Sequence, residues 1–173
     1  MKIFTYLAMV IVCGMLMMTS CHDNKEQIYS ELPVRAEATM RTVEIDHKSL
    51  TSEQQQELDY LTRHAFIVNK VENMPKCTFF DDNLLDGIDL TDRSLIVSYS
   101  VWDDCKVNTQ KYTWAFENTN QIYVFDIVTY VTPNDTWAPK TSTLVRSAIL
   151  VDHISESARM DVFYRATTAM PES

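Results

Sequence analysis

Apolar and polar positions along the chain follow two periods, and the switch between them divides the sequence into elements. From Thr39 to Ile45 they alternate, with Met40, Thr42 and Glu44 on one side and Val43 and Ile45 on the other, which predicts a short strand. The period then lengthens. Leu58 and Leu61, with Tyr60 beside them, form one narrow stripe over Ser52 to His64, the mark of a surface helix. Thr51 or Ser52 can cap its start, and Gln54 or Gln55 three residues later completes a capping box. Ala65 to Val68 is apolar and partly β-branched and reads as a strand entering the core.

The stretch from Asn73 to Asp92 carries Pro75, Cys77, Gly87 and five aspartates, a composition that favours loop. Five runs rich in β-branched and aromatic residues follow: Ser94 to Trp102, Lys111 to Glu117, Gln121 to Val131, Thr143 to Asp152 and Arg159 to Ala166. Asn118-Thr119-Asn120 is a short polar turn, so the runs on either side of it should form an antiparallel hairpin. The second hairpin strand is apolar on nearly both faces, which predicts a central place in the sheet beneath the helix or a second layer. The expected class is α+β, mostly β: an antiparallel sheet or β-sandwich of about six to seven strands with one N-terminal helix.

At the start of the chain, Lys2 precedes an apolar run from Ile3 to Met18 broken only by Thr5 and Gly14, and Thr19-Ser20-Cys21 closes it. This is a secretory signal with an apolar core short for spanning a bilayer. It resembles the bacterial lipoprotein signal, with Met18 in place of the usual leucine. The resemblance implies that Cys21 is acylated, in the manner of a palmitate-bearing lipoprotein, and becomes the new N-terminus. The protein is then an outer-membrane lipoprotein, on the periplasmic face or the cell surface. An ordinary cleaved signal with a chance cysteine is the alternative. Residues 1–20 are thus expected as signal peptide, 21–38 as tether and 39–168 as a single globular domain. Asp23, Lys25 and Glu26 look like the export signals of Bacteroidetes lipoproteins, although a solvated linker accounts for them equally.

Removing residues 1–20 leaves 153 residues (173 minus 20), enough for one domain with its own core. The whole chain carries −9; without Lys2 there are 14 basic residues against 24 acidic ones, a side-chain charge of −10. Nucleic acid is therefore an unsuited partner, since a polyanion calls for a surplus of lysine and arginine. Gly87 is the only glycine beyond the signal. Glycine-rich phosphate and dinucleotide loops and the glycine-flanked serine elbow are excluded with it, and no motif calls for a cofactor. Once Cys13 leaves with the signal and Cys21 takes lipid, Cys77 and Cys105 remain. In an exported protein they are a candidate disulfide, stabilising by roughly 3 kcal/mol through loop closure. Two free buried thiols are the alternative. Neither has a cysteine or histidine at the short spacing of a zinc site.

Asp81, Asp82, Asp86 and Asp89 crowd the loop around Gly87, but in EF-hand register Leu84 and Arg93 fall at ligand positions, so an EF-hand is excluded. An irregular Ca²⁺ site and a solvated, turn-capping loop are the remaining readings. Asp103-Asp104 and Asp135 are the places to look for a glycosidase's carboxylates, although neighbours on a strand point to opposite faces. His47, His64 and His153 lie far apart in sequence and read as surface histidines. Trp137, with Asp135 beside it between Pro133 and Pro139, is the candidate interaction residue; folding back as a lid on the core is the alternative.

Ile88-Asp89-Leu90-Thr91-Asp92-Arg93-Ser94-Leu95-Ile96-Val97, with Phe66-Ile67-Val68 and Glu72-Asn73-Met74-Pro75 upstream, resembles the small lipoproteins of gut Bacteroidales. More distantly, residues 65–166 are similar to the protease-complex subunit family. Val101 to Lys111 lacks that family's glycine-rich turn, so no functional residue is implied. Two functions are left as expectations. One is a non-catalytic, lipid-anchored binding module with a protein or glycan partner. The other is a small envelope hydrolase or inhibitor-like protein acting on peptide or glycan.

Overall fold

The computed structural model describes residues 29–81, 84–134 and 141–168. Among the described residues eight strands and one helix follow in the order β1 (Tyr29–Glu31), β2 (Ala36–Ile45), α1 (Ser52–Arg63), β3 (Ala65–Val68), β4 (Arg93–Asp103), β5 (Cys105–Glu117), β6 (Ile122–Pro133), β7 (Ser142–Asp152) and β8 (Met160–Thr167). A 3₁₀ turn at Val71–Asn73 follows β3. The strands make two four-stranded sheets, β1-β5-β6-β8 and β2-β7-β4-β3. The mostly β class is as expected, and the described residues form one helix and eight strands in place of six or seven. All neighbours are antiparallel except β6 and β8. That parallel pair follows from connectivity, because β7 carries the chain back through the other sheet before β8 begins.

Side-chain alternation places Trp114, Phe125 and Ile127 of the first sheet against Ile96, Ile149 and Val151 of the second. Trp114 stacks on Tyr123 at 5.1 Å and meets the edge of Phe125 at 6.4 Å. Toward one end of this layer the core turns polar. There Gln110 donates to Thr129 Oγ1 (3.0 Å) and accepts from Ser147 (2.7 Å) and Tyr112 (2.9 Å), so its buried amide is hydrogen-bonded on both sides.

The other face of the second sheet, with Leu95, Val97, Tyr99, Leu144, Ala148 and Leu150, is covered by Leu58 and Leu61 of α1 and by the segment carrying Cys77, Phe79, Phe80 and Leu84. β4 and β7 are therefore apolar through most of their length. Of the two coverings expected for the second hairpin strand, β6, it is the second layer and not the helix that lies on it. β6 is central in its sheet, but no described element lies over that sheet's outer face. A helix needs a partner on one stripe only, and the second sheet, not the first, supplies it. Thr51 caps α1 by accepting from Gln54 N (3.2 Å) while Gln54 Oε1 accepts from Thr51 N (3.0 Å), the expected capping box.

Two boundaries differ from those expected. Tyr29–Glu31 pairs with Glu117–Ala115, Leu32 and Val34 pack against the layer between the sheets, and Arg35 clasps Asp152 with two bonds of 2.6 and 2.9 Å. The folded chain thus takes in residues 29–38, expected as tether. A three-residue strand is too short to leave a pattern in sequence. β5 begins at Cys105 rather than Lys111. Asp104 adopts φ 53° and turns the chain from one sheet to the other in a single residue.

Removal of Trp114 should cost about 3–5 kcal/mol in chemical denaturation, as for a buried aromatic, while Thr51→Ala should cost about 1 kcal/mol as a lost cap. A small loss at Trp114 would mean that the sheets do not pack on it. Acid should unfold the protein through its anchored carboxylates. Arg35 holds the Asp152 carboxyl below its ordinary value of 3.8, and Thr91 does the same for Asp89. Burial pushes Glu117 up, but the amides of Asn120 and Thr119 outweigh it and leave it lowered. Groups lowered in the fold stabilise above their unfolded pKa and lose that contribution as pH falls, here below about 4. In urea midpoints measured from pH 7 to 2, Asp152→Asn should flatten part of the decline; an unchanged slope would contradict the clasp.

Candidate functional site

The two crossings between sheets, β4 to β5 and β6 to β7, meet at one pole of the sandwich. Asp104 N donates to Thr141 O (2.9 Å) and Asn134 N to Asp104 O (3.0 Å), while the Asn134 side-chain amide donates to Thr141 Oγ1 (3.2 Å). Ser142 Oγ donates to Asp103 Oδ1 at 2.6 Å. These bonds fix the ends of the connection between β6 and β7. Beside them, Thr42 and Glu44 of β2, Cys105 to Val107 of β5, and Asn134, Thr141 and Thr143 line a hollow of about 500 Å³. Along β5 it follows the Gln110 network toward the start of the strand.

What this pole can offer chemically is hydrogen bonding and charge. Hydroxyls of three threonines, the Asn134 amide, the Glu44 carboxylate and the Lys106 ammonium offer donors and acceptors around a concave surface. Burial pushes the Cys105 thiol up, and Asp103 and Asp104 push it the same way. It is therefore a protonated thiol at neutral pH, a weak nucleophile, and among the described residues no histidine lines the hollow to activate it.

The expected site residues divide in three ways. Cys21, Asp135 and Trp137 lie outside the described residues, as does Asp82. Cys105, Asp103 and Asp104 come together at the pole with Asn134, the residue that precedes Asp135. Cys77 is elsewhere, in the layer covering the second sheet, where burial and Glu57 raise its pKa against the opposing pull of the Phe79 amide and Arg146. Cys77 and Cys105 are both free thiols, which corrects the expected disulfide. They face opposite sides of the second sheet, so its strands stand between the two sulfurs.

Other expectations fall on structural roles. The Asp89 carboxylate turns back on its own loop to accept from Thr91 N (3.0 Å) and Oγ1 (2.7 Å), and Gly87 takes φ 77°. Among the described residues no three acidic, histidine or cysteine side chains converge as a metal-binding group. His47, His64 and His153 are exposed, with His64 Nδ1 2.8 Å from Tyr60 O at the end of α1.

Sequence reasoning missed Arg146, which is 2 % exposed with its guanidinium 4.7 Å from the centre of the Phe80 ring. A lone arginine within the apolar run Thr143 to Asp152 was the available signal. It also missed the uncovered outer face of the first sheet. There Tyr29, Ala115, Val124 and Phe163 border a hollow of about 410 Å³, with Arg165 bound to Asp126 at its edge. A larger cleft, about 870 Å³, opens at the opposite pole between Asn69 to Val71, Ile88 to Thr91 and His153 to Glu156. Its acids are already engaged, Asp89 by Thr91 and Glu156 by Asn73.

No family model, curated protein or solved structure matches the chain.

Peptide mapping without reductant should recover Cys77 and Cys105 as separate alkylated peptides. Their native-state alkylation should be slow at pH 7 and still be rising above pH 9, because both thiols are raised from 9.0. A linked Cys77–Cys105 peptide would contradict the structure.

Proposed function

We propose that the protein is a lipid-anchored, non-catalytic binding module of the cell envelope, tethered through Cys21 and presenting the pole at Asp104, Asn134 and Thr141. One observation carries the reading. β1, the first strand after the tether, pairs Tyr29 with Glu117 at the hairpin end of β5, whereas Asn134 and Thr141 hold the other end. A strand of this length spans roughly 40 Å. From Cys21 to Tyr29 the chain extends at most about 28 Å, so a bilayer holding Cys21 lies nearer the hairpin pole. The segment with Asp135 and Trp137 then leaves and rejoins the fold at the pole farther from the lipid.

The polar hollow lined by Asn134 and Thr141 suits a hydrogen-bonding partner, protein or glycan. A hydrolase is the poorer reading, because the one thiol at this pole is held protonated and Asp103 is engaged by Ser142.

Cys21→Ala should shift the protein from the membrane fraction to the soluble one, and the wild-type N-terminal peptide should carry acyl mass. Membrane association that survives the substitution, without lipid mass, would refute the anchor. Trp137→Ala should leave stability within about 0.5 kcal/mol, as at an exposed position, while weakening capture of immobilised peptide or glycan probes. A loss of about 3–5 kcal/mol would instead place the indole in the core.

A further inference from the structure

We infer that the free flank of β5 is a docking edge for an extended, acidic peptide segment of a partner, which adds to the first sheet as a further strand. The inference rests on the binding-module reading and names the partner's chemistry. β5 is 13 residues long, but β1 covers only Ala115 to Glu117. At Pro33, which has no N–H to donate, the chain leaves the first sheet, and Arg35 N already bonds to Leu150 O of the second. Among the described residues no strand lies beside Cys105 to Thr113 on that side.

The exposed backbone groups can be named. Leu32 N donates to Trp114 O (2.8 Å), so Trp114 turns its peptide groups toward β1. Alternation along the regular part of the ladder turns those of Tyr112 and Gln110 the same way, into the gap that β1 leaves. An added strand gains main-chain bonds there, and its alternate side chains reach the two faces of the sheet.

Charge selects the occupant. Cys105 to Thr113 contains Lys106 and Lys111 and no acid, in a chain of net charge −9. Both lysines stand on the outer face, opposite Thr132 and Val128 of β6. A partner strand with carboxylates at every second position places them alongside these ammonium groups, a favourable cross-strand pairing. A second copy of this chain is the poorer occupant, because its own β5 edge brings lysines rather than acids. The irregularity between Val107 and Thr109 interrupts the ladder at the lower end of the edge. Pairing is therefore concentrated at Gln110 and Tyr112.

The test is residue-resolved amide exchange on the full chain in detergent micelles, with a blocked nine-residue peptide of alternating glutamate and threonine as probe. Exchange at Gln110 and Tyr112 should slow by about tenfold or more at saturation. Lys111→Glu should remove that protection with an unchanged melting temperature, and Lys106→Glu should weaken it. No protection at millimolar peptide overturns the inference. Equal protection by an alternating lysine–threonine peptide overturns the partner chemistry. Protection without peptide, accompanied by a doubled mass, overturns it in favour of a second copy. Weakened capture in Trp137→Ala alongside an unprotected edge would leave the module reading standing while this inference falls.

Discussion

The structure depends on the burial of the second sheet on both faces. β4 and β7 run side by side at its centre, and their side chains alternate between the aromatic layer shared with the first sheet and the layer under α1. Neither layer suffices alone. A bare sheet would expose Leu95, Val97, Leu144 and Leu150, so the helix and the segment from Met74 to Leu90 are required coverings rather than decoration. Glu57 fastens that segment to the helix by accepting from Thr78 N and Oγ1. Arg146 supports it from below through the Phe80 ring.

Given that demand, the described residues cover one face of the first sheet and leave the other open, and its edges take the consequences. Its strands are long because β5 and β6 form a hairpin closed by Glu117, which accepts from Thr119 N (2.8 Å) and Asn120 N (2.9 Å). β1 is short because the chain must cross early to supply β2 to the other sheet. The free flank of β5 and the polar hollow below it are both products of that crossing. The surfaces proposed for binding are thus the places where the demands of the second sheet leave the first one unfinished.

Much of the fold was legible in sequence, and the failures have physical causes. α1 and its Thr51–Gln54 cap, the polar hairpin turn, and the strands now numbered β2, β3, β4, β6, β7 and β8 all carried local signals of period, branching or turn chemistry. The first half of β5, Cys105 to Gln110, did not, since its mixture of polar residues suits an edge as well as a loop. Which sheet the helix covers was illegible because it is a tertiary choice between two apolar surfaces. The free thiols were illegible for a related reason: compartment predicts whether cysteines can pair, while sheet faces decide whether these two meet. Of the candidate site, Cys105, Asp103 and Asp104 were named from sequence, but the approach of Thr42, Glu44 and Asn134 to Cys105, and of Asn134 to Asp104, needed the topology.

The central claim is that the lipid anchor and the presenting pole are at opposite ends of the sandwich. Its most direct test is a depth measurement on the lipidated protein in vesicles, with a fluorophore attached at Asn120 in the hairpin tip or at Asn134 beside the corner, against a quencher carried on lipid headgroups. The account predicts strong quenching at Asn120 and almost none at Asn134, since the two positions are roughly 40 Å apart along the strands. Equal quenching at both, or stronger quenching at Asn134, would contradict it.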